Sequence, residues 1–395
     1  MGVFGSMPAC HHHRTTRHLS LALLISSIAG SACTRRAVAV TEKTSEQMLH
    51  LHEAAGPSAA VPTQAVPLPD REKIEPPAPK ALPPAAQTPM QPLQIFDELT
   101  ENTSCVPAPR VAEANVSTAY NIPYATIGGE ALSLDIAYPK GGGIHPLVVL
   151  VHGGGYTSGD KFGERDNLLL LAGQGYAAAA VNYRLASGKL NHFPAQIQDL
   201  RCAVRWLRRN AQSYDIDPQQ VAAVGHSAGA TLVALLATAD DDAAFDHPDC
   251  PIAPAAAAAN IKAAIGNCGR ADIRLDPDIT PPAAVHIVIN WLGFDPRAEP
   301  GPVTDAIVKQ ASPITHVSDR SPPFLLIHGG QDHLVSATQY RTFAEALTRS
   351  HVEVHRIDDE DWGHAPPIFS AEPIYRRAHC GSLRFLSRHL HQATP

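Results

Sequence analysis

Beyond about residue 110 the chain moves between two hydrophobic patterns. Short unbroken apolar runs occur at Leu147 to Val151, Ala177 to Val181, Val221 to Val224 and Phe324 to Ile327, with glycine close to their ends. A run of that length with no polar face reads as a strand covered on both sides, as in a parallel sheet. Between the runs the period lengthens. Pro194 opens a helical pattern, Gln196 to Asn210, with Ile197, Leu200, Val204 and Leu207 on one face. Two more run from Ala230 to Ala239 and from Ala337 to Leu347. Ile122 to Thr126 and Leu132 to Tyr138 read as strands divided by a turn at Gly128-Gly129, and Ile261 to Ile265 and Val352 to Ile357 as further strands. Strands alternating with helices predict a doubly wound α/β domain. The region 240–321, rich in Asp and Pro, fits this rhythm least and reads as an insertion over the sheet that shapes a pocket.

The first 110 residues follow neither pattern. Arg14 and Arg17 precede an apolar run from Leu19 to Ala29, which ends in Gly30, Ser31, Ala32 and Cys33. That is the layout of an export signal over residues 1–33, cut after Ala32, with Cys33 a candidate for lipid attachment and a membrane tether. Residues 34–110 are dominated by Ala, Pro, Glu, Gln and Thr. They offer too little apolar surface to offset the entropy of ordering, so they read as a disordered linker. Their prolines favour an extended, semi-stiff spacer. The folded domain is expected over 111–395. No apolar run approaches the roughly 18 residues that a membrane-spanning helix needs.

Composition narrows the picture. Apolar residues make up 44% of the chain, enough for a full core, and a formal net charge of −7 argues against nucleic acid as a partner. No protein partner is indicated. The basic cluster from Arg201 to Arg209 lies on a helical pattern and reads as a solvated face. Of seven cysteines, Cys10 would leave with the signal and Cys33 would be terminal, so Cys105, Cys202, Cys250, Cys268 and Cys380 remain. None forms a Cys-x-x-Cys pair, so zinc and thioredoxin readings find no support. An oxidising envelope allows one or two disulfides. Cys250 and Cys268 flank a Pro/Ala-rich loop and are the favoured pair, while Cys202 reads as simply buried.

The chemistry is carried by three constellations. Gly225-His226-Ser227-Ala228-Gly229 follows one strand and precedes a helix. In that context G-x-S-x-G marks a sharp turn that displays a nucleophilic serine. The helix N-terminus behind Ser227 adds partial positive charge where an oxyanion would form. His152-Gly153-Gly154-Gly155 follows another strand. The N–H groups of Gly153 and Gly154, with that of Ala228, would form an oxyanion hole. His152 reads as an orienting residue. A base and an acid should then follow the serine in the order acid, histidine. Asp332 lies in the loop after the strand Phe324 to Ile327, and His364 in the loop after Val352 to Ile357. His364 would take the serine proton while Asp332 fixes the imidazole tautomer. Asp358, Asp359 and Asp361 are alternative acids, and His333 adjoins Asp332 too closely to be its partner. No cluster of His, Cys and carboxylates shows ligand spacing near the site.

From about Tyr120 onward the chain resembles the bacterial esterase/lipase branch of the α/β-hydrolases. It comes nearest the group of feruloyl and acetyl-xylan esterases and hormone-sensitive-lipase-like enzymes. The matching stretches are His152 to Lys161, Val181 to Leu185, Phe193 to Gln196 with Asp199, Gly225 to Gly229, and Pro322 to Asp332. The resemblance implies an α/β-hydrolase fold, mostly parallel, with helices on both faces and a cap-like insertion. It also implies hydrolysis of small carboxylic esters through an acyl-enzyme, with no metal or organic cofactor. The stretch Asn267-Cys268-Gly269-Arg270 departs from the pattern, and the segment Gly266 to Pro302 is expected to line the pocket. Region 240–321 carries few bulky apolar residues, chiefly Phe245, Trp291, Leu292 and Phe294, which points to short acyl groups. An amidase or peptidase with the same triad is the alternative enzyme. A silent, envelope-displayed binding protein is the competitor of another class.

Overall fold

The computed structural model describes Cys105 and residues 115–390, apart from positions 241, 299 and 371. All of these belong to the second of the two units into which the chain divides, Gln87–Pro395. The export signal, Cys33, the linker apart from Cys105 and the expected domain start at Val111 lie outside the described residues.

Eight strands form one sheet: β1 (Val116–Ile127), β2 (Glu130–Pro139), β3 (His145–Val151), β4 (Ala177–Val181), β5 (Ile216–His226), β6 (Ala263–Asn267), β7 (Phe324–Gly329) and β8 (Val354–Asp359). Their order is β1-β2-β4-β3-β5-β6-β7-β8. The β1–β2 and β2–β4 pairs are antiparallel and the rest parallel. The helices are α1 (Arg165–Gly173), α2 (Ala195–Arg209), α3 (Ala228–Thr238), α4 (Pro282–Leu292), α5 (Pro302–Gln310), α6 (Ala337–Arg349) and α7 (Arg376–His389).

The unbroken apolar runs have the cause assigned to them. In β3, Leu147, Val149 and Val151 join one core cluster with residues of α2, α3 and α6, while Val148 and Leu150 join a second with residues of α1 and α7. Alternate residues thus face opposite helix layers, and the sheet has no wet side. In β4, Ala177 to Ala180 do the same with minimal volume. Helix α3 carries no charged residue and every residue in it is buried, as in a helix enclosed by the core.

Two expectations are corrected. The Arg201 to Arg209 stretch is not a solvated face: Arg201 and Arg205 are buried and both pair with Asp246. Cys250 bonds to Cys202, not Cys268, because Cys202 faces the loop that carries Cys250; a second bond joins Cys105 to Cys380, and Cys268 is a buried free thiol. Within region 240–321, the strand expected at Ile261 to Ile265 forms as β6. β6 takes part of it into the middle of the sheet, leaving α4 and α5 to lie beyond. No helix among the described residues is long and apolar enough to cross a membrane.

Strand β3 has β4 on one side and β5 on the other, so the winding direction reverses there. Ligands of open α/β sheets gather at the carboxyl ends of strands beside such a reversal. The loops that leave β3 and β5 hold the glycine run and Ser227.

Candidate active site

Ser227 is the single residue between the end of β5 and the start of α3. Its backbone sits at φ 53°, ψ −117°, a region L-residues avoid and which the surroundings must enforce. Its N–H donates to the Asn267 carbonyl at 2.8 Å, and its carbonyl accepts from the Ala230 N–H at 3.0 Å. The flanking glycines are required by packing. A Cβ on Gly225 would lie 2.3 Å from the Gly229 carbonyl oxygen, and one on Gly229 would lie 2.1 Å from that of Val151.

His364 and Asp332 complete a relay. His364 Nε2 lies 2.8 Å from Ser227 Oγ, and its Nδ1 lies 2.7 Å from Asp332 Oδ2. With the proton on Nδ1 the imidazole donates to the carboxylate, and Nε2 is left to accept from the serine hydroxyl. Asp332 has no exposed side-chain surface. Its other oxygen accepts the N–H groups of Leu334 and Val335, each at 2.9 Å. Burial alone would push its pKa up, but the bonds from His364 and from these amides outweigh it and hold the carboxyl below its ordinary value. The rivals stand apart: His333, Asp358 and Asp361 are exposed, and Asp359 faces Arg377.

The glycine loop after β3 runs against the nucleophile. A Cβ on Gly153 would lie 3.0 Å from the His226 carbonyl oxygen and 3.2 Å from Ser227 Cβ, a tight approach that favours glycine there. The Gly154 carbonyl accepts from the Thr157 and Ser158 N–H groups and from the Ser158 hydroxyl, which closes the loop on itself. Ala228 is the first residue of α3, so its N–H has no intrahelical acceptor. His152 holds the loop. It is buried, its Nδ1 lies 2.7 Å from the Gly153 carbonyl, and its ring stacks on Tyr183 at 4.3 Å. Burial lowers its pKa, which disfavours the charged ring.

A cleft of about 300 Å³, counted to its open mouth, lies over these groups. Besides Ser227 and His364 it is lined by Tyr156, Arg270, Ile287 and Val335 among others. Ile287 belongs to α4, so the segment after β6 does line the pocket. Tyr156 stacks on the buried Trp291 at 3.9 Å, and burial pushes its hydroxyl up to about 12. The bulky residues Phe245 and Trp291 are therefore spent as wall and core, not as groove. Sequence reasoning assigned no individual role to Tyr156 or Arg270, and took Cys268 for a disulfide partner. The one signal was the departure of Asn267 to Arg270 from the family pattern.

Folding also overturns the expectation of no donor cluster near the site. One donor atom each of Cys268, Asp332 and His364 come within 4.8 Å of one another, because three separate strand ends meet here. The set is poor for a metal ion as it stands. His364 and Asp332 are bonded to each other, and burial pushes the Cys268 thiol up to about 12, so it stays protonated.

Comparison with known proteins bears on the fold and the family. Esterase LipQ of Mycobacterium tuberculosis is 31% identical over 234 residues, 58% of this chain and 52% of LipQ. Esterase LipC of the same organism is 29% identical over 216 residues, 52% of this chain and 50% of LipC. The chain thus spans about half the length of the curated relatives it matches. The thermophilic esterase Est2 of Thermogutta terrifontis superposes with a TM-score of 0.57 at 23% identity, covering 70% of this chain and 95% of Est2, which supports the fold. The BD-FAE family model matches residues 134–347, from β2 to the end of α6. Fold and motifs together place this chain in the BD-FAE family of α/β-hydrolase esterases.

Proposed function

We propose that this protein is a serine carboxylesterase that cleaves small, short-acyl esters through an acyl-enzyme. The observation that carries the reading is the unbroken relay from Ser227 Oγ through His364 to the buried Asp332. Ser227 Oγ attacks the ester carbon while His364 Nε2 takes its proton. The carbonyl oxygen becomes an oxyanion, which the N–H groups of Gly153, Gly154 and Ala228 stabilise. On collapse the C–O bond to the alcohol breaks and His364 returns the proton to it. Water, activated by the same imidazole, then cleaves the acyl-enzyme and restores Ser227. The reading invokes no metal, and activity is expected to persist in EDTA. The esterase names of the matched relatives lend it support.

Labelling of the purified protein by a fluorophosphonate probe tests the nucleophile, since only an activated serine reacts. An unlabelled Ser227 would favour the silent binding protein. A panel of p-nitrophenyl esters from two to sixteen carbons then reads acyl preference. The narrow cleft favours acetyl to butyryl, because a long chain needs a groove giving about 0.8 kcal/mol per buried methylene. Faster cleavage of matched anilides would favour the amidase instead. Export to an oxidising envelope is part of the proposal. It rests on the signal pattern of residues 1–33 and is supported by two disulfides in one domain. Cell fractionation and lipid labelling at Cys33 test it.

A further inference from the structure

Arg270 is an anomaly among the arginines. Four arginines are buried among the described residues: Arg184, Arg201, Arg205 and Arg270. Arg184 pairs with Asp199, and Arg201 and Arg205 share Asp246. Arg270 has no carboxylate within ion-pair distance among the described residues. The acids near it are committed elsewhere, Asp272 to Arg274 and Asp332 to His364. An unpaired charge removed from water is costly, and a protein keeps one where something else supplies the counter-charge.

The guanidinium is nonetheless held in place. Nη2 donates to the Leu334 carbonyl at 2.6 Å, Nη1 to Thr280 Oγ1 at 3.4 Å, and the backbone N–H to Thr231 Oγ1 at 3.0 Å. All three acceptors are neutral. The remaining side-chain N–H groups have no protein acceptor among the described residues. Burial draws its pKa below the ordinary value, yet a guanidinium keeps its charge at any working pH. The group also lines the cleft that holds Ser227 and His364, where the other walls include Ile287, Leu334 and Val335. A small apolar cleft with one fixed cation is shaped for a ligand with a short apolar body and an anionic end.

We propose that Arg270 sets substrate specificity and that the preferred ester carries a second, anionic group, a carboxylate, which pairs with this guanidinium while the ester carbon sits at Ser227. The inference rests on the esterase reading above and names its substrate class. The carboxylate takes no part in bond making. It replaces the missing counter-charge, so the gain appears as tighter productive binding.

Three ethyl-sized esters followed by pH-stat decide the matter. Ethyl butyrate is the neutral reference, monoethyl succinate carries the anion on the acyl side, and butyryloxyacetate carries it on the alcohol side. One charged ester is expected to show kcat/KM at least about tenfold above ethyl butyrate, the scale of one charge-assisted hydrogen bond. Arg270→Met should collapse that ratio toward one, mainly through KM, and Arg270→Lys should restore part of it. If both charged esters are cleaved no better than ethyl butyrate by the parent protein, the inference fails and the esterase reading stands. A preference that persists in Arg270→Met overturns it equally. If the methionine variant does not fold, the parent ratio and the lysine variant still decide. Failure of all three esters, with no fluorophosphonate label on Ser227, would instead remove the esterase reading.

Discussion

Strands β5 and β6 lie side by side and end at the same edge of the sheet, and each is followed by a residue forced into the left-handed region. Ser227 has φ 53° and Cys268 has φ 54°. Each N–H is held by the next strand over: Ser227 donates to the Asn267 carbonyl, and Cys268 to that of Ile327 at 2.9 Å. The same positive φ has opposite results. After β5 the chain enters a helix and leaves an oxygen at the cleft, within reach of His364. After β6 the chain turns inward, seals a protonated thiol in the core and runs on to Arg270. Backbone strain is therefore not in itself a mark of chemistry. What separates the two is the group left exposed and the partner that meets it.

The largest expected effect falls on the first turn. Ser227→Ala should lower kcat by roughly six orders of magnitude, since loss of a triad nucleophile disables the whole relay. Its thermal midpoint should stay within a few degrees of the parent, about 1 kcal/mol of stability. Activity within about tenfold of the parent would place the nucleophile elsewhere.

Asp332→Asn comes next, with kcat down by about four orders of magnitude because the amide favours the wrong imidazole tautomer. It also carries a pH signature. The folded pKa of Asp332 lies below its unfolded value, so its contribution to stability is present above about pH 4 and is lost as pH falls through the folded value. Denaturant melts at pH 7 and in the acid range should show a shallower acid loss in the variant than in the parent.

Gly229→Ala tests the packing of the turn. A methyl 2.1 Å from the Val151 carbonyl forces β3 and α3 apart, and overpacking of this kind costs about 3 kcal/mol. Urea unfolding reads that loss directly. An unchanged midpoint would mean that the turn is looser than its geometry.

Cys268→Gly sharpens the contrast with the smallest effect. Glycine relieves a left-handed cost of about 1–2 kcal/mol but forfeits a buried side chain and adds chain entropy. The net change in stability should be within about 1 kcal/mol, and ester hydrolysis should remain within about tenfold of the parent. A loss of a hundredfold would make the second turn chemical too. In the parent, iodoacetamide at pH 8 should leave Cys268 unmodified until the protein is denatured, because burial both shields its thiol and pushes it up to about 12.

These two turns also mark how far the sequence could be read. The β5 turn was legible because its constraint is local: Gly225, Ser227 and Gly229 are all needed within five positions. Asp332 and His364 were legible from their places in loops after expected strands, though not their distances. Strands β3, β4 and β7 were visible as apolar runs because both faces are covered. Helix α1 was not, since its four consecutive leucines show no helical period. The Cys202–Cys250 bond, the Asp246 pairing and the isolation of Arg270 depend on where remote loops fall, and residue spacing carries no such information.

The Cys105–Cys380 bond gives the domain a topology that its packing alone does not. The two residues are 275 positions apart, so the bond turns almost the whole catalytic domain into one covalent ring. A loop of that size limits the unfolded chain by roughly 5 kcal/mol or more in the chain-entropy picture. The ring cannot close until α7 has been synthesised. Once closed, it changes what a protease can do. One cut in a surface loop such as those of region 240–321 leaves every part of the active site on a single molecule, and the pieces separate only after reduction.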